Sequence, residues 1–273
     1  MRGLLIYDRE GYQRNEWFIC RMQEVSFSLG CNLELVIYED DVEKSLSPLP
    51  DFAIVRTIHP ELNEKLEKLD IPTYNNSTTS RIANDKWQTY LLARELGIEV
   101  MDTAIVTDVC DTSKLTYPTV IKTVDGHGGS EVFLAENADK CKQILSQLAN
   151  RRVISQQLCN ESGVDMRVYV MGGDIIAATK RTSKNDFRSN FSLGGNAELD
   201  TPTERMISII KKLRQRLGFD FVGVDFIRHN GNWLLNEIED VVGTRMLYSL
   251  TDIDAAKMYI NYVITKTKYS GKV

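Results

Sequence analysis

The sequence predicts a mixed α/β and α+β fold that opens with a small α/β domain. Residues 1–70 alternate apolar strand-like runs with stretches of helical periodicity, which is typical of a parallel sheet flanked by helices. Farther along, apolar runs are paired across turns such as Gly172-Gly173-Asp174, which is the pattern of antiparallel hairpins. With 273 residues, the chain can form two modest domains or one large one.

The elements of the N-terminal domain follow from the apolar spacing. Strands are predicted over residues 4–7, 33–38 and 53–58, with helices from Asn15 and from Pro60. Parallel sheets bind ligands beyond the carboxyl ends of their strands, so segments 8–13 and 56–59 are candidate contacts. Arg56 is the stronger candidate because an arginine at the exit of an apolar strand needs a partner, whereas the first segment also fits a plain loop. The polar run 74–80 is predicted to end this domain.

Two lysines stand out in the middle of the chain. Lys86 lies in the first turn of a helix predicted from its cap, Asn84, to Gly97. A cation is unfavourable at a helix N-terminus, so Lys86 either points at a ligand anion or is simply solvated. Lys122 lies inside an apolar strand, which implies a phosphate or carboxylate partner. The glycine-rich loop 125–130 that follows offers backbone N–H groups to an anion, although such loops are also common hairpin turns.

Three carboxylates interrupt the last two apolar runs of the sequence. Glu237 and Glu239 are two residues apart on a predicted strand and therefore share a face, and Asp225 lies in the preceding strand. Oxygen ligands of this kind suit Mg²⁺, which takes one or two carboxylates and completes its shell with phosphates and water. The alternatives are that Asp225 closes a turn and that the nearby arginines are solvated or pair with these carboxylates.

The long helix between these runs has clear boundary signals. Thr201 and Glu204 are predicted to form a capping box around Pro202, and Gly218 ends the helix. The apolar stripe of this helix is predicted to be core. A final helix is predicted from about Asp252.

Composition excludes several classes of protein. A net charge of −5 argues against a nucleic-acid binder with a broad basic face. No apolar run approaches the length of a membrane span or a signal peptide, so no membrane partner is expected. The five cysteines are widely spaced and form no CxxC pair, which indicates reduced thiols and a cytoplasmic protein.

The order of these parts resembles the RimK-like carboxylate–amine ligases of the ATP-grasp superfamily. The resemblance extends from about Asn75 to Ile253, and its most specific piece is the run Asp186-Phe187-Arg188-Ser189-Asn190. It implies an ATP-grasp architecture with an N-terminal Rossmann-like domain over residues 1–80, a central lobe over 81–155 and a C-terminal lobe over 156–273, with ATP between the two lobes.

The resemblance also implies roles for individual residues. Arg167 and Arg188 would hold the transferring phosphoryl group and the substrate carboxylate, and Arg56, Arg181 and Arg245 would face substrate. Mg²⁺ or Mn²⁺ would bind Asp225, Glu237 and Glu239. The residues expected at ATP are Lys86, Lys122, Gly126, His127, Gly128, Gly129, Ser130, Gln157, Leu158, Asp165, Ser189 and Asn190. Among these, Gln157 and Leu158 would contact adenine and Asp165 would lie near the ribose.

The sequence departs from the family pattern at two places. Glu239 stands where the family commonly has Asn, which makes the metal site more negative. The segment 240–245 replaces the usual small-residue and proline loop, so substrate identity cannot be carried over.

The function expected from the resemblance is ATP-dependent joining of an amino acid or amine to the carboxylate of a small molecule or peptide through an acyl phosphate. The partners would be ATP and these two substrates, and a homodimer or homotetramer is expected. A nucleotide-binding regulatory module without turnover and a kinase that stops after phosphoryl transfer are the alternatives.

Overall fold

The computed structural model describes residues 1–40, 42–106, 109–129, 131–148, 150–183 and 196–269, with the side chains of residues 109–111 excepted. The predictions for Ser130, Arg188, Ser189 and Asn190 lie outside these residues. The described residues form three sheets. None of their helices is both long enough and apolar enough to span a membrane.

The first sheet is parallel, as predicted. Its strands are β1 (Arg2–Tyr7), β2 (Asn32–Ile37), β3 (Phe52–Val55) and β4 (Thr73–Tyr74), in the order β2-β1-β3-β4. They are connected by α1 (Arg9–Ser28), by α2 (Pro60–Lys68) and by a 3₁₀ turn over Val42–Leu46. The short β4 was not predicted.

Helix α1 begins six residues earlier than the apolar spacing predicts. Asp8 caps it, because its Oδ1 accepts a hydrogen bond from the backbone N–H of Gly11 at 2.6 Å. The predicted contact segment 8–13 is therefore a helix cap and first turns rather than a loop. The backbone leaves helical geometry at Asn15, where φ is −127°, and this explains why the apolar periodicity becomes regular only after that residue.

Two helices follow the first sheet: the first lies largely where the polar run 74–80 was predicted, and the second is the helix predicted from Asn84. Asn76 caps α3 (Ser77–Ala83) by accepting from the N–H of Thr79. Asp85, rather than the predicted Asn84, caps α4 (Lys86–Glu95), and its Oδ1 accepts from two backbone N–H groups. The polar residues that suggested a turn are thus mostly caps and helix surface.

The second sheet is antiparallel and matches the predicted strands closely. It contains β5 (Thr103–Val106), β6 (Thr119–Thr123), β7 (Val132–Ala135) and β8 (Val153–Gln157), in the order β5-β8-β6-β7. A 3₁₀ turn over Val109–Lys114 follows β5, and α5 (Ala138–Gln147) packs Cys141 and Ile144 against Ile121 and Val153.

The third sheet carries the predicted hairpins. Its five antiparallel strands are β9 (Val164–Met171), β10 (Asp174–Thr182), β11 (Asn196–Leu199), β12 (Phe221–His229) and β13 (Asn232–Glu239), in the order β11-β10-β9-β12-β13. Gly172 and Gly173 form the predicted turn with positive φ angles of 62° and 110°. Strand β11 was not predicted.

Helix α6 (Glu204–Leu217) covers one face of the third sheet with its predicted apolar stripe. Its cap is Thr203, whose Oγ1 accepts from the N–H of Met206, so the predicted capping box at Thr201 is wrong by one threonine. The two threonines are two residues apart, and the backbone becomes helical only from Glu204, which makes Thr203 the cap. Gly218 ends the helix in the left-handed conformation at φ 68°, as predicted.

The chain closes with α7 (Arg245–Leu250), which was not predicted, and α8 (Ala255–Tyr269). Helix α8 places Tyr259 in a core shared by Phe52 and Tyr74 of the first sheet and Phe221 of the third. The N-terminal domain therefore packs against the C-terminal part of the chain. The predicted boundaries at residues 80 and 155 stay predictions.

Candidate nucleotide and metal site

A cleft of about 500 Å³ brings together residues of all three sheets. Fifteen of the predicted site residues line it: Arg56, Lys86, Lys122, Gly126, His127, Gly128, Gly129, Gln157, Leu158, Asp165, Arg167, Arg181, Glu237, Glu239 and Arg245. Asp225 lies behind this surface and is 1% exposed. Groups from distant parts of the sequence thus share one cavity, of the size that small-molecule sites have.

The three predicted metal ligands form one cluster. Oxygen atoms of Asp225, Glu237 and Glu239 all lie within 4.8 Å of one another. Strand pairing explains this, because Asp225 lies opposite Glu237 and Gly223 lies opposite Glu239. Three clustered carboxylates are the hard oxygen donors that Mg²⁺ and Mn²⁺ prefer, so these residues fit a divalent cation.

Two buried arginines hold the carboxylate cluster from behind. Arg167 donates from Nε to Asp225 Oδ1 at 2.8 Å and from Nη2 to Asp225 Oδ2 at 2.7 Å, and its Nη2 also contacts Glu239. Arg181 donates to both carboxylate oxygens of Asp165 and, at 2.8 Å, to Asp225 Oδ2. Burial alone would raise the pKa of Asp225, but the two guanidinium groups outweigh it and hold the pKa at about 2.

This network bears on the predicted roles of three residues. Arg181 was expected to face substrate and Asp165 to lie near a ribose, yet their side chains are buried and paired with each other. Arg167, which was expected at the phosphoryl group, pairs with the carboxylates of Asp225 and Glu239. The alternative stated from the sequence, arginines paired with carboxylates, therefore describes these contacts. Glu239 has a raised pKa because burial outweighs its pairing with Arg167.

Lys122 and Lys86 lie close to the carboxylate cluster. The Nζ of Lys122 donates to Gln156 Oε1 at 2.7 Å and to Asn236 Oδ1 at 3.3 Å, so its hydrogen-bond acceptors among the described residues are amide oxygens. Burial lowers the pKa of Lys122 to about 8. Lys86 donates to the carbonyl oxygen of Gly126 and lies 3.7 Å from Glu237 Oε2.

The glycine-rich segment Gly126–Gly129 connects β6 to β7 beside these lysines. Gly128 and Gly129 have φ angles of 66° and 78°, which side chains other than glycine rarely adopt. The ends of the segment are fixed, since Arg151 donates to Asp125 at 2.8 Å and to Glu131 at 2.9 Å. Burial, with the nearby charge of Lys86, lowers the pKa of His127 and favours its neutral form.

The third part of the cleft lies between the N-terminal domain and the segment after β13. Arg56 is buried and donates from Nη2 to the carbonyl oxygen of Val242 at 2.8 Å. Asp240 accepts hydrogen bonds from the side-chain amides of Asn75 at 2.7 Å and Asn84 at 3.1 Å. These contacts fix the start of the segment 240–245, so Arg56 has a backbone partner as well as a position on the cleft.

The family-model comparison identifies the fold family. Residues 83–263 match the model of the RimK-like ATP-grasp domain, which is well over half of the chain. The chain belongs to the RimK-like ATP-grasp family. An uncharacterized protein of Mycoplasma pneumoniae is 26% identical over 99% of this chain and 95% of its own length. A probable alpha-L-glutamate ligase of Pasteurella multocida is 32% identical, covering 73% of this chain and 66% of that protein.

Solved structures agree on the ATP-grasp fold. A D-alanine–D-alanine ligase of Bacillus anthracis complexed with ATP superposes with a TM-score of 0.75 at 17% identity, covering 100% of this chain and 99% of that one. The predicted family and ATP-grasp architecture are confirmed. The predicted reaction class, ATP-dependent joining of a carboxylate to an amine, is confirmed with them.

In this ATP-grasp chain, several cleft residues were missed by the sequence analysis, and two of them, Asn236 and Gln156, contact Lys122. Strand β13 has a bulge, because Asp225 pairs with Glu237 but Phe226 pairs with Leu235, and this leaves Asn236 without a partner on β12. Asn236 consequently lines the cleft beside Glu237 and contacts Lys122. A polar residue inside an apolar run was the available signal. Gln156 was passed over for its neighbour Gln157, and no feature of the sequence separates the two.

Proposed function

We propose that this ligase joins an α-amino acid to the carboxylate of a small molecule or peptide, with ATP and Mg²⁺ or Mn²⁺ bound in the cleft. In the first step, a carboxylate oxygen attacks the γ-phosphorus of ATP, and ADP leaves. In the second step, the amine nitrogen attacks the acyl carbon, phosphate leaves, and the nitrogen loses a proton to solvent. The observation that carries the proposal is the convergence of two lysines and three carboxylates in one cleft.

The lysines and the glycine-rich segment are proposed to hold the triphosphate. Phosphoryl transfer needs positioning and charge neutralisation more than covalent chemistry, and Lys86 and Lys122 supply positive charge from two different elements. The segment Gly126–Gly129 with Ser130 would cover the phosphates. Gln157 and Leu158 at the end of β8 are the proposed adenine contacts, with Asp165 near the ribose.

Glu237 is proposed as the first ligand of the cation. Its carboxylate lies on the cleft surface and has Lys86 at 3.7 Å as a weak partner. Both carboxylate oxygens of Asp225 accept hydrogen bonds from arginines, so Asp225 is suited to holding Arg167 in place. Glu239 is the second carboxylate of the cluster, after Glu237, that lines the cleft. A bound Mg²⁺ ion supplies charge neutralisation at the phosphates.

The remaining roles rest on the family resemblance. Arg188 is proposed at the transferring phosphoryl group and Asn190, with Ser189, at the phosphates. L-Glutamate is the first amine substrate to test, because a relative is named as a glutamate ligase. A cytoplasmic location and a homodimer or homotetramer are further proposals.

The experiment supplies the purified protein with ATP, Mg²⁺, and pairs of amino acids and carboxylates. Release of ADP only when both substrates are present, and a product mass equal to the sum of the two substrates minus water, are expected. Arg188→Ala is expected to abolish both signals. A product heavier by one phosphoryl group would instead identify a kinase, and tight ATP binding without ADP release across the panel would identify a regulatory module.

A further inference from the structure

One arginine outside the cleft contacts both ends of the glycine-rich segment Gly126–Gly129. Arg151 lies in the turn between α5 and β8 and does not line the cleft. Its Nη2 donates to Asp125 Oδ1 at 2.8 Å, just before the segment. Its Nη1 and Nη2 donate to the two carboxylate oxygens of Glu131, after the segment, at 2.9 and 3.1 Å. The contacts of Arg151 with Asp125 and Glu131 are called the arginine clamp below.

The arginine clamp is anchored on the core of the second sheet. The N–H of Arg151 donates to the carbonyl oxygen of Leu148 at 3.0 Å, and Leu148 is buried between α5 and this sheet. The carbonyl oxygen of the next residue, Arg152, accepts from the N–H of Val124 at 3.0 Å. The guanidinium group therefore holds the base of the segment against a part of the chain that is itself fixed.

Glu131 extends this restraint to the first glycine of the segment. Its Oε2 also accepts from the hydroxyl of the buried Thr123 at 2.6 Å. Gly126 packs directly against both side chains, since a Cβ there would lie 2.3 Å from Thr123 Oγ1 and 2.9 Å from Glu131 Oε2. The carbonyl oxygen of Gly126 accepts a hydrogen bond from Lys86. The arginine clamp is thus connected to a proposed phosphate-binding lysine through Glu131 and Gly126.

The arginine clamp contributes little to the stability of the whole fold. The side chain of Arg151 is 40% exposed and that of Asp125 is 59% exposed, and solvent and salt weaken ion pairs of this kind. The effect of the clamp is local. Gly128 and Gly129 give the segment wide conformational freedom, and fixing both of its ends reduces that freedom. A segment that is already ordered costs less to place on a bound ligand.

We propose that Arg151 is a positioning residue for the nucleotide and acts through the glycine-rich segment. The inference rests on the proposed function, in which this segment covers the triphosphate. The arginine clamp holds the segment beside the phosphates, so its loss lets the segment open more often and the nucleotide leave faster. Because Arg151 does not line the cleft, its loss should change dissociation much more than association.

Hydrogen exchange measured by NMR tests the restraint without a ligand. The N–H groups of Thr123 and Val124 donate to the carbonyl oxygens of Glu131 and Arg152, at the base of the segment. In Arg151→Ala these two amides are expected to exchange about three- to tenfold faster than in the wild-type protein.

The internal reference for exchange is the N–H of Gly172, which donates to Asp220 in the third sheet at 2.7 Å and should be unchanged. Unchanged exchange at Thr123 and Val124, or an equal increase at Gly172, would overturn the arginine clamp.

The dissociation rate of a fluorescent, non-hydrolysable ATP analogue with Mg²⁺ tests the role at the nucleotide. Arg151→Ala is expected to raise this rate about three- to tenfold and to change the association rate less than about twofold. Arg151→Lys should recover part of the difference, because an ammonium group still pairs with one carboxylate at a time. Arg205→Ala is the matched control, since Arg205 is 41% exposed, pairs with Glu99 and does not line the cleft.

Removing the partners of Arg151 shows whether it acts through them. Asp125→Asn combined with Glu131→Gln should speed dissociation as much as Arg151→Ala does, and adding Arg151→Ala to that pair should have little further effect. A fully additive effect in the triple variant would overturn the inference. Binding of the analogue with a dissociation rate unchanged in Arg151→Ala would overturn this inference alone, whereas a wild-type protein that binds no analogue would contradict the proposed function as well.

Discussion

Replacing Lys122 by methionine is expected to uncouple nucleotide binding from proton uptake. Lys122 is 9% exposed, and its ammonium group is held by two uncharged amide oxygens. Burial therefore lowers its pKa to about 8 in the free protein. A phosphate group beside this nitrogen would favour the charged form and raise the pKa again.

The size of the effect follows from the pKa of the free protein. At pH 8.5 a lysine with a pKa of about 8 is roughly one quarter protonated. If bound phosphates restore a pKa near that of an ordinary lysine, the group becomes almost fully protonated. Binding then takes up about 0.7 proton per nucleotide.

Calorimetry measures this uptake directly. A non-hydrolysable ATP analogue is titrated at pH 8.5 with Mg²⁺ in two buffers of different ionisation enthalpy, and the difference in apparent heat gives the number of protons. Lys122→Arg should bind the analogue without the uptake, since arginine stays protonated at this pH. Lys122→Met should lose both the uptake and much of the affinity. In the free protein, the lowered pKa of His127 favours its neutral form.

The control is Lys142→Met, because Lys142 is 52% exposed on α5 and lies outside the cleft. Equal proton uptake in the wild-type protein and Lys122→Met would refute the placement of Lys122 at the phosphates.

The lowered pKa of Lys122 also affects the pH dependence of stability. Between about pH 8 and 10.5, Lys122 binds more protons in the unfolded chain than in the folded protein. The free energy of unfolding therefore rises with pH over this range, by about 3 kcal/mol at most.

Three further changes have expected outcomes. Glu237→Gln should reduce Mg²⁺-dependent ADP release by at least about 100-fold, measured across a Mg²⁺ titration, and wild-type rates would contradict the metal assignment. Asn75→Ala should lower the free energy of unfolding by about 2–4 kcal/mol in urea, because it leaves several buried backbone groups unpaired, and a loss below about 1 kcal/mol would contradict this. Gly3→Ala should cost about 1–3 kcal/mol, since its Cβ would lie 2.2 Å from the ring of Phe52, whereas Gly243→Ala meets open space and should cost far less.

Local patterns were sufficient for much of the fold. The alternation of strands and helices in residues 1–70 predicted the parallel first sheet, and the Gly172-Gly173 turn predicted the β9–β10 hairpin. Caps were less predictable, because several polar residues stand side by side near each helix start. Asp85 and Thr203 cap where Asn84 and Thr201 were expected, and only the backbone path decides between such neighbours.

The site was predictable in composition but not in pairing. The sequence identifies Asp225, Glu237 and Glu239 as carboxylates in apolar strands, and the structure brings them together. Which arginine meets which carboxylate depends on strand order, since Arg167 and Asp225 are 58 residues apart and lie on neighbouring strands. The bulge that brings Asn236 into the cleft depends on register, which spacing along one strand does not reveal.

The central claim is that Lys86, Lys122 and the carboxylate cluster converge on one triphosphate with its divalent cation. A crystal structure with Mg²⁺ and a non-hydrolysable ATP analogue tests it most directly. The expected result is a set of phosphate oxygens within hydrogen-bond distance of both lysine Nζ atoms and a cation on the Glu237 carboxylate. A nucleotide bound elsewhere, or a cation that contacts none of the three carboxylates, would contradict it.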